Sequence, residues 1–286
     1  MIPPKFDLHT HTTASDGVLT PEQLYIQAKM AGVEVLAITD HDTVEGVKWL
    51  LERYKNEIAT GGPRVIVGAE FTCLLGKQVL HIVGLGLDMQ NPLLKRHMAK
   101  LDDLRLERAE RIALKLEKKN LPNVLALVKE KAGNAQIGRP HFAKVLCDLK
   151  IVGSEDQAFK KYLGAGKVAN VAVAWPELEE VLDVIKQSGA VSVLAHPTKY
   201  NLTMSKLRRV IAEFKIIGGD AVEISYPGVN REQQNILKYE IEKHELLISA
   251  GSDFHTPMNP WTKLGLYPEI PANLNTVLSR GLIADN

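Results

Sequence analysis

Short apolar runs that end in the residues metal ions prefer recur along this chain, and they narrow its fold more than any other feature. Residues 5–8 read as a buried strand running into His9-Thr10-His11, with Asp16 on the loop that follows. Residues 33–39 are apolar and β-branched and end in Asp40-His41-Asp42. Residues 64–69 end in Glu70, residues 190–195 in His196-Pro197, and residues 246–250 in Gly251-Ser252-Asp253-Phe254-His255. Runs so short and so apolar suit strands covered on both faces, the setting of parallel sheets. Helical patterns separate most of them. Thr20-Pro21-Glu22-Gln23 supplies an N-cap, a first-turn proline and a capping-box glutamine, and Gly32 stops the helix that follows. Thr43 is read as the cap of a helix through Trp49 and Tyr54, and helices over 176–189, 205–217 and 230–244 alternate with the later strands. This alternation predicts an α/β fold of parallel βα units with a site on the C-terminal face, as in barrels.

His9 and His11 are two residues apart, so in extended backbone both imidazoles project to one side. Alone, that pair fits two polar histidines capping a strand as well as it fits a chelate. His41, Glu70, His196, Asp253 and His255 change the balance, together with His81 inside the apolar segment 79–87. Buried imidazoles need partners, and strand tips ordinarily carry small turn residues. His9, His11, Asp16, His41, Glu70, His81, His196, Asp253 and His255 are therefore the candidate ligands of a multinuclear metal site. Imidazole and carboxylate without thiolate suit manganese, iron or zinc over copper(I) or a cluster. His97 and His244 fall within predicted helices and are read as surface residues. His141 is left open by its local sequence.

From Asn91 to Val173 the pattern becomes helical, with a long amphipathic stretch over 94–119 followed by helices over 122–132 and 140–149 and one opened by Ser154. Nine basic and five acidic residues lie between Lys95 and Lys119. A solvated helix face explains that excess more simply than nucleic-acid binding. In Gly138-Arg139-Pro140-His141-Phe142, Arg139 precedes a helix start whose N–H groups favour anions, although a surface arginine is the simpler local reading. The chain has 286 residues and a net charge of +1, enough for a large core and no argument for or against an anionic partner. Its two cysteines, Cys73 and Cys147, lack CxxC spacing and are read as free thiols. No run is long enough to span a bilayer, and Met1-Ile2-Pro3-Pro4 lacks the regions of a signal peptide, so the expected location is cytoplasmic.

The succession Asp7-Leu8-His9-Thr10-His11, Ile38-Thr39-Asp40-His41-Asp42, Gly68-Ala69-Glu70, His81 within the next strand, Ala195-His196-Pro197 and Gly251-Ser252-Asp253-Phe254-His255 resembles the PHP (polymerase and histidinol phosphatase) family along nearly the whole chain. With the segment from Gly138 to Ala143, the match is closest to the branch containing nucleoside 3′,5′-bisphosphate phosphatases, some of which are also 5′→3′ exoribonucleases. The resemblance implies a distorted (β/α)7 PHP barrel over residues 1–90 and 174–286, with a helical insertion over 91–173 as a lid. It implies two to three divalent transition metals, manganese first, with iron or zinc as alternatives. One would be held by His9, His11, Glu70 and Asp253, a second by Glu70, His81 and His196, and a third by Asp16, His41 and His255. Asp16, His41 and His255 would also be catalytic, and Arg139 and His141 would bind substrate. All nine ligand positions are filled, whereas residues 167–175 and Ser225-Tyr226-Pro227-Gly228 depart from the branch's pattern. The implied reaction is hydrolysis of a phosphomonoester by a metal-bridging hydroxide, on a phosphorylated nucleotide or short RNA, without membrane or obligatory protein partner. No glycine-rich phosphate loop with lysine is present. The alternatives are a small-molecule phosphatase, such as one for histidinol phosphate, and a non-catalytic metal-binding PHP module, against which the complete ligand set speaks.

Overall fold

The computed structural model describes residues 4–121, 123–258 and 261–281; Met1 to Pro3 and the expected helix start at Pro122 lie outside them. One seven-stranded sheet runs in chain order through β1 (Phe6–Asp7), β2 (Val35–Ile38), β3 (Arg64–Leu75), β4 (Gln78–Leu85), β5 (Val191–Leu194), β6 (Ala221–Ser225) and β7 (Leu247–Ala250). The sheet curls into a nearly closed barrel. At its seam the Leu8 N–H donates to the Ala250 carbonyl at 3.2 Å, and the His11 N–H to the Phe254 carbonyl at 2.9 Å. The buried Asp7 carboxylate tightens this seam by accepting the Ser252 N–H at 2.8 Å and the Gly265 N–H at 2.7 Å. His9 and His11 thereby come beside Asp253 and His255.

The expectation of parallel units throughout fails at one strand. β3 and β4 pair antiparallel, as do β4 and β5, while the other neighbours pair parallel. The reason is the link between β3 and β4, which consists of Gly76 and Lys77 with Gly76 at φ +61°. A parallel connection needs a crossover of about a dozen residues. Glu70 consequently lies inside β3 instead of at its end. Because β4 runs backwards, His81 near its start stands at the rim where the parallel strands finish.

Ten α-helices cover the described residues: α1 (Pro21–Met30), α2 (Glu45–Arg53), α3 (Lys55–Ala59), α4 (Pro92–Glu117), α5 (Val124–Ala132), α6 (Arg139–Asp148), α7 (Glu155–Ala158), α8 (Leu178–Gln187), α9 (Met204–Ile217) and α10 (Arg231–Lys243). α1 carries the capping box expected from Thr20 and Gln23. α2 starts one residue later than expected, with Val44 at its N-cap and the Thr43 hydroxyl accepting the Glu45 N–H at 3.2 Å. Phe6, Leu8, Val35, Ala37, Val83, Val193 and Ala250 fill one core. α4 to α7 and the helical turn Phe159–Leu163 after them bury another of their own, built from Ile112, Leu116, Val128, Phe142, Leu146 and Leu163. Among the described residues no helix is long and apolar enough to cross a membrane.

The reading of His97 as a surface residue is overturned. α4 packs on α8, so His97 is buried with Nδ1 3.1 Å from Glu180 Oε1 and its ring 5.8 Å from that of Phe71. His244 caps the end of α10, partly exposed, with Nε2 3.5 Å from Glu240. Cys73 and Cys147 are free thiols.

The seam leaves no room at Gly251, where an added Cβ would stand 2.4 Å from the His9 Cβ and 2.6 Å from its nitrogen. Gly251→Ala is expected to destabilise the fold by about 1–3 kcal/mol, the usual range for overpacking. Urea denaturation followed by circular dichroism checks it, and an unchanged midpoint would show that the seam can open without loss.

Candidate metal centre

The nine residues singled out in the sequence all arrive at one rim of the barrel. Their donor atoms fall into four overlapping groups, each spanning no more than 4.8 Å: His11, Asp16, His41 and His255; His9, Glu70 and His196; His9, His11 and Asp253; and His41, Glu70 and His81. Glu70 is central. Its Oε1 lies 2.9 Å from His81 Nδ1 and 2.8 Å from His196 Nε2, and its Oε2 lies 2.9 Å from His41 Nδ1 and 3.4 Å from Nε2 of both His9 and His11. On the other side Asp16 approaches His255 Nε2 at 3.3 Å and His41 Nε2 at 3.8 Å.

A surrounding layer of carboxylates orients these groups. Glu223, in the middle of β6, faces His9 Nδ1 at 3.2 Å and accepts the His196 N–H at 2.6 Å. That contact turns His9 Nε2 into the cluster, as carboxylates behind ligating histidines commonly do. Asp40 accepts hydrogen bonds at 2.7 Å from the Thr12 N–H, the Thr12 hydroxyl and the Ser15 hydroxyl, which shapes the loop carrying Asp16. Asp42 accepts from the Thr72 N–H at 2.6 Å and from Arg105 Nε of α4 at 2.7 Å. The sequence reading passed over Glu223 and Arg105. A charged residue amid the apolar Ala221-Val222-Glu223-Ile224 run was the signal for the first, whereas nothing local marks Arg105 among its charged neighbours.

Backbone strain gathers at the same rim. Asp42, His196 and Asp253 have φ values of +53°, +29° and +47°, a region that favours glycine. Each costs about 1–3 kcal/mol and persists only where its surroundings over-determine it, a pattern typical of functional sites.

The electrostatics are those of a site built for cations. Burial raises the Glu70 carboxyl, but the charges of His41, His81 and His9 outweigh it and hold Glu70 well below the usual carboxylate range. Burial lowers the His255 imidazole, but Asp16 outweighs it and brings the pKa to about 10. His11 goes the other way: burial first, then the charge of His255, pulls it to about 3. His9 Nε2, both nitrogens of His11, His41 Nδ1, Glu70 Oε2 and His196 Nδ1 are buried without a hydrogen-bond partner. Orphaned buried donors and acceptors cost about 1–3 kcal/mol each. So many imidazole and carboxylate atoms converging on one another fit divalent metal ions.

Beside the cluster opens a cavity of about 610 Å³, lined by Asp16, His41 and His81 of the cluster and by Arg105, Arg108, Arg139, Phe159, Asn170 and Trp175. Arg105 is neutralised by Asp42. Among the described residues, Arg108 and Arg139 have no carboxylate within ion-pair distance; their guanidinium carbons lie 5.6 Å from the Trp175 and Phe159 rings respectively. Burial, then the charges of Arg139 and Arg105, lowers Arg108 to about 9. His141 lies off this wall, its Nδ1 accepting the Gly138 N–H at 3.1 Å at the start of α6.

Residues 7–224 match the PHP domain. The chain belongs to that family. Within it, the chain is 39% identical to the 5′-3′ exoribonuclease Rnm of Escherichia coli K12, over 95% of this chain and 92% of the relative. It is 31% identical to the 3′,5′-nucleoside bisphosphate phosphatase of Chromobacterium violaceum, over 93% and 92%. A solved structure of an amidohydrolase from Chromobacterium violaceum superposes with a TM-score of 0.87 at 29% identity, covering 97% of this chain and 95% of that one. The PHP membership and barrel anticipated from the strand-tip residues are both borne out.

The Asp42–Arg105 pair ties the PHP barrel to α4 with both side chains buried. Breaking one half of such a pair typically costs about 3–5 kcal/mol, because it strands a charge. Arg105→Ala should therefore lose about that much in urea unfolding, and the Asp42→Asn/Arg105→Met double variant should lose less than the single one. Additive losses would show that the two side chains contribute independently.

Proposed function

We propose that this chain is a metal-dependent phosphoesterase acting on nucleoside 3′,5′-bisphosphates or short 5′-phosphorylated RNA. The observation that carries the reading is one cavity joining the imidazole–carboxylate cluster to two unpaired arginines. The cluster supplies a place for the reacting phosphate and the arginines a place for another. The named activities of the exoribonuclease and bisphosphate phosphatase relatives support the same substrate class.

We assign two to three divalent ions to the cluster, manganese first and iron or zinc as alternatives, because the donors are imidazole and carboxylate. His9, His11, Glu70 and Asp253 would hold one, Glu70, His81 and His196 another, and Asp16, His41 and His255 a third. Bound there, such ions lower the pKa of water and neutralise phosphoryl oxygens. The chain's own residues do the rest. Glu223 fixes the tautomer and angle of His9, while Asp40 and Asp42 set the loops that carry Asp16 and His41. Arg108 and Arg139 offer forked donors matched to a phosphate dianion, and Trp175 and Phe159 keep the surrounding wall apolar. His141 contributes by bracing the turn before Arg139.

Residues 91–173 act, in this reading, as a fixed wall of the site. Arg105 is locked to Asp42, the Gln136 side chain donates to the Asp42 carbonyl at 3.1 Å, and the Gln136 N–H donates to the Ala14 carbonyl at 2.9 Å. Those ties favour a wall over the lid expected from the sequence. Nucleotide substrates and the two free thiols suit a cytoplasmic enzyme.

Elemental analysis should find two to three equivalents of transition metal, and activity should disappear on chelation and return with Mn²⁺. Activity that survives complete metal removal would sink the reading. Charge-assisted contacts contribute about 1.5–3 kcal/mol, so Arg139→Ala and Arg108→Ala should each lower kcat/KM by roughly 10- to 150-fold on bisphosphorylated substrates. An aryl phosphate should suffer much less. Equal losses on both would move the arginines to the reacting phosphate or to folding, and histidinol phosphate as the best wild-type substrate would replace the nucleotide reading.

A further inference from the structure

The cluster has two flanks. Through Asp16, His41 and His81 it opens on the arginine cavity; Asp253, which does not line that cavity, marks the other flank, and against it lies a cation that no step so far uses. Lys199 places its ammonium 2.6 Å from Asp253 Oδ2 and 5.7 Å from the Tyr226 ring. Among the described residues, it is the lysine or arginine within ion-pair distance of a cluster carboxylate. Its side chain is 40% exposed against 12% for Asp253, so the ammonium stands at the solvent edge of the cluster. An ammonium has three donors, and one bond to Asp253 leaves two for a ligand.

The backbone beneath Lys199 is held firmly. Pro197–Lys199 forms a 3₁₀ turn whose Thr198 N–H donates to the Tyr226 hydroxyl at 2.9 Å, while that hydroxyl donates to Thr198 Oγ1 at 2.8 Å. One residue on, the Tyr200 hydroxyl accepts the His81 N–H at 3.0 Å and donates to the Ala195 carbonyl at 2.9 Å. A long side chain on so fixed a turn loses little further freedom when it takes a ligand.

We propose that Lys199 is a specificity-determining residue for chain continuation, binding the phosphodiester immediately 3′ of the scissile phosphate when the substrate is RNA. The inference rests on the proposed function. With the 5′-phosphate on Arg108 and Arg139 and the scissile phosphate over the cluster, the first nucleoside occupies the arginine side. The second nucleotide is joined to the scissile phosphate through an oxygen on the far side, so the chain must leave across the Asp253 flank. There Lys199 meets the next phosphate. Hydrolysis forms one bond from a water oxygen to phosphorus and breaks the bond from phosphorus to the 3′-oxygen, which takes a proton. The products are a 5′-mononucleotide and a chain with a new 5′-phosphate. In a nucleoside 3′,5′-bisphosphate the same bond breaks, but nothing follows the reacting phosphate and Lys199 has no diester to hold.

The test compares wild type, Lys199→Ala and Lys199→Arg on adenosine 3′,5′-bisphosphate and on 5′-phosphorylated tri- and penta-adenylate at low and moderate salt, with metal content measured on each protein. Lys199→Ala should lower kcat/KM on the oligonucleotides at least tenfold more than on the bisphosphate. Lys199→Arg should recover most of that gap, and the salt dependence of oligonucleotide cleavage should become shallower in the alanine variant. Equal losses on both substrates, or loss of metal from the alanine variant, would overturn the proposal and leave Lys199 as an orienter of Asp253. A wild type that cleaves the bisphosphate but no oligonucleotide overturns it as well. If wild type turns over neither, the proposed function fails and this inference with it.

Discussion

One buried carboxylate stands at the meeting point of the fold. Glu70 lies within 3.4 Å of nitrogens from His9, His11, His41, His81 and His196, side chains drawn from around the barrel. An anion in that position is tolerable only when opposite charge surrounds it, and buried imidazoles in turn need an acceptor or a metal. Each element that contributes a histidine is therefore committed to a specific register and depth. The reversed β4 is part of that commitment: antiparallel pairing sets His81 across from Thr72, on the rim beside Glu70.

The strain at Asp42, His196 and Asp253 follows from the same demand. Strand ends alone do not point side chains back over a barrel mouth, and the left-handed backbone at these residues achieves it. At Asp42 and His196 hydrogen bonds hold it there: Thr72 and Arg105 on Asp42, and the carboxylate of Glu223 on the His196 N–H. Local cost is thus offset by contacts that come from distant segments.

The helices between β4 and β5 supply part of the cavity wall. They share an apolar core of their own, and the Arg105 and Gln136 ties join them to the loops of His41 and Ala14. Arg108 and Arg139 line the same cavity as the cluster, without a carboxylate to neutralise them among the described residues. Two cations held close while partly desolvated repel one another, and under the proposed function a bound phosphate would relieve that repulsion.

Much of this was legible in the chain itself. Alternating strand and helix patterns follow from local periodicity, and a histidine or carboxylate at the end of an apolar run is conspicuous because burial penalises it. Most of the cluster residues were found that way, and the PHP barrel through the family resemblance that their motifs carry. Arg139 stood out only through the Gly138-Arg139-Pro140 helix start. Tertiary structure alone decided what depends on contacts between remote segments. Arg105 meets Asp42 across 63 residues, His9 meets Glu223 across 214, and His97 is buried only because α8 lies over it. A helix's charged residues look alike in sequence, and packing selects which are covered, which are neutralised and which stay free. The sequence by itself therefore determined the strands, the cluster and its chemistry, all encoded within a few residues. Only the folded chain determined which cations face that cluster, because charge pairing is settled by distance in space.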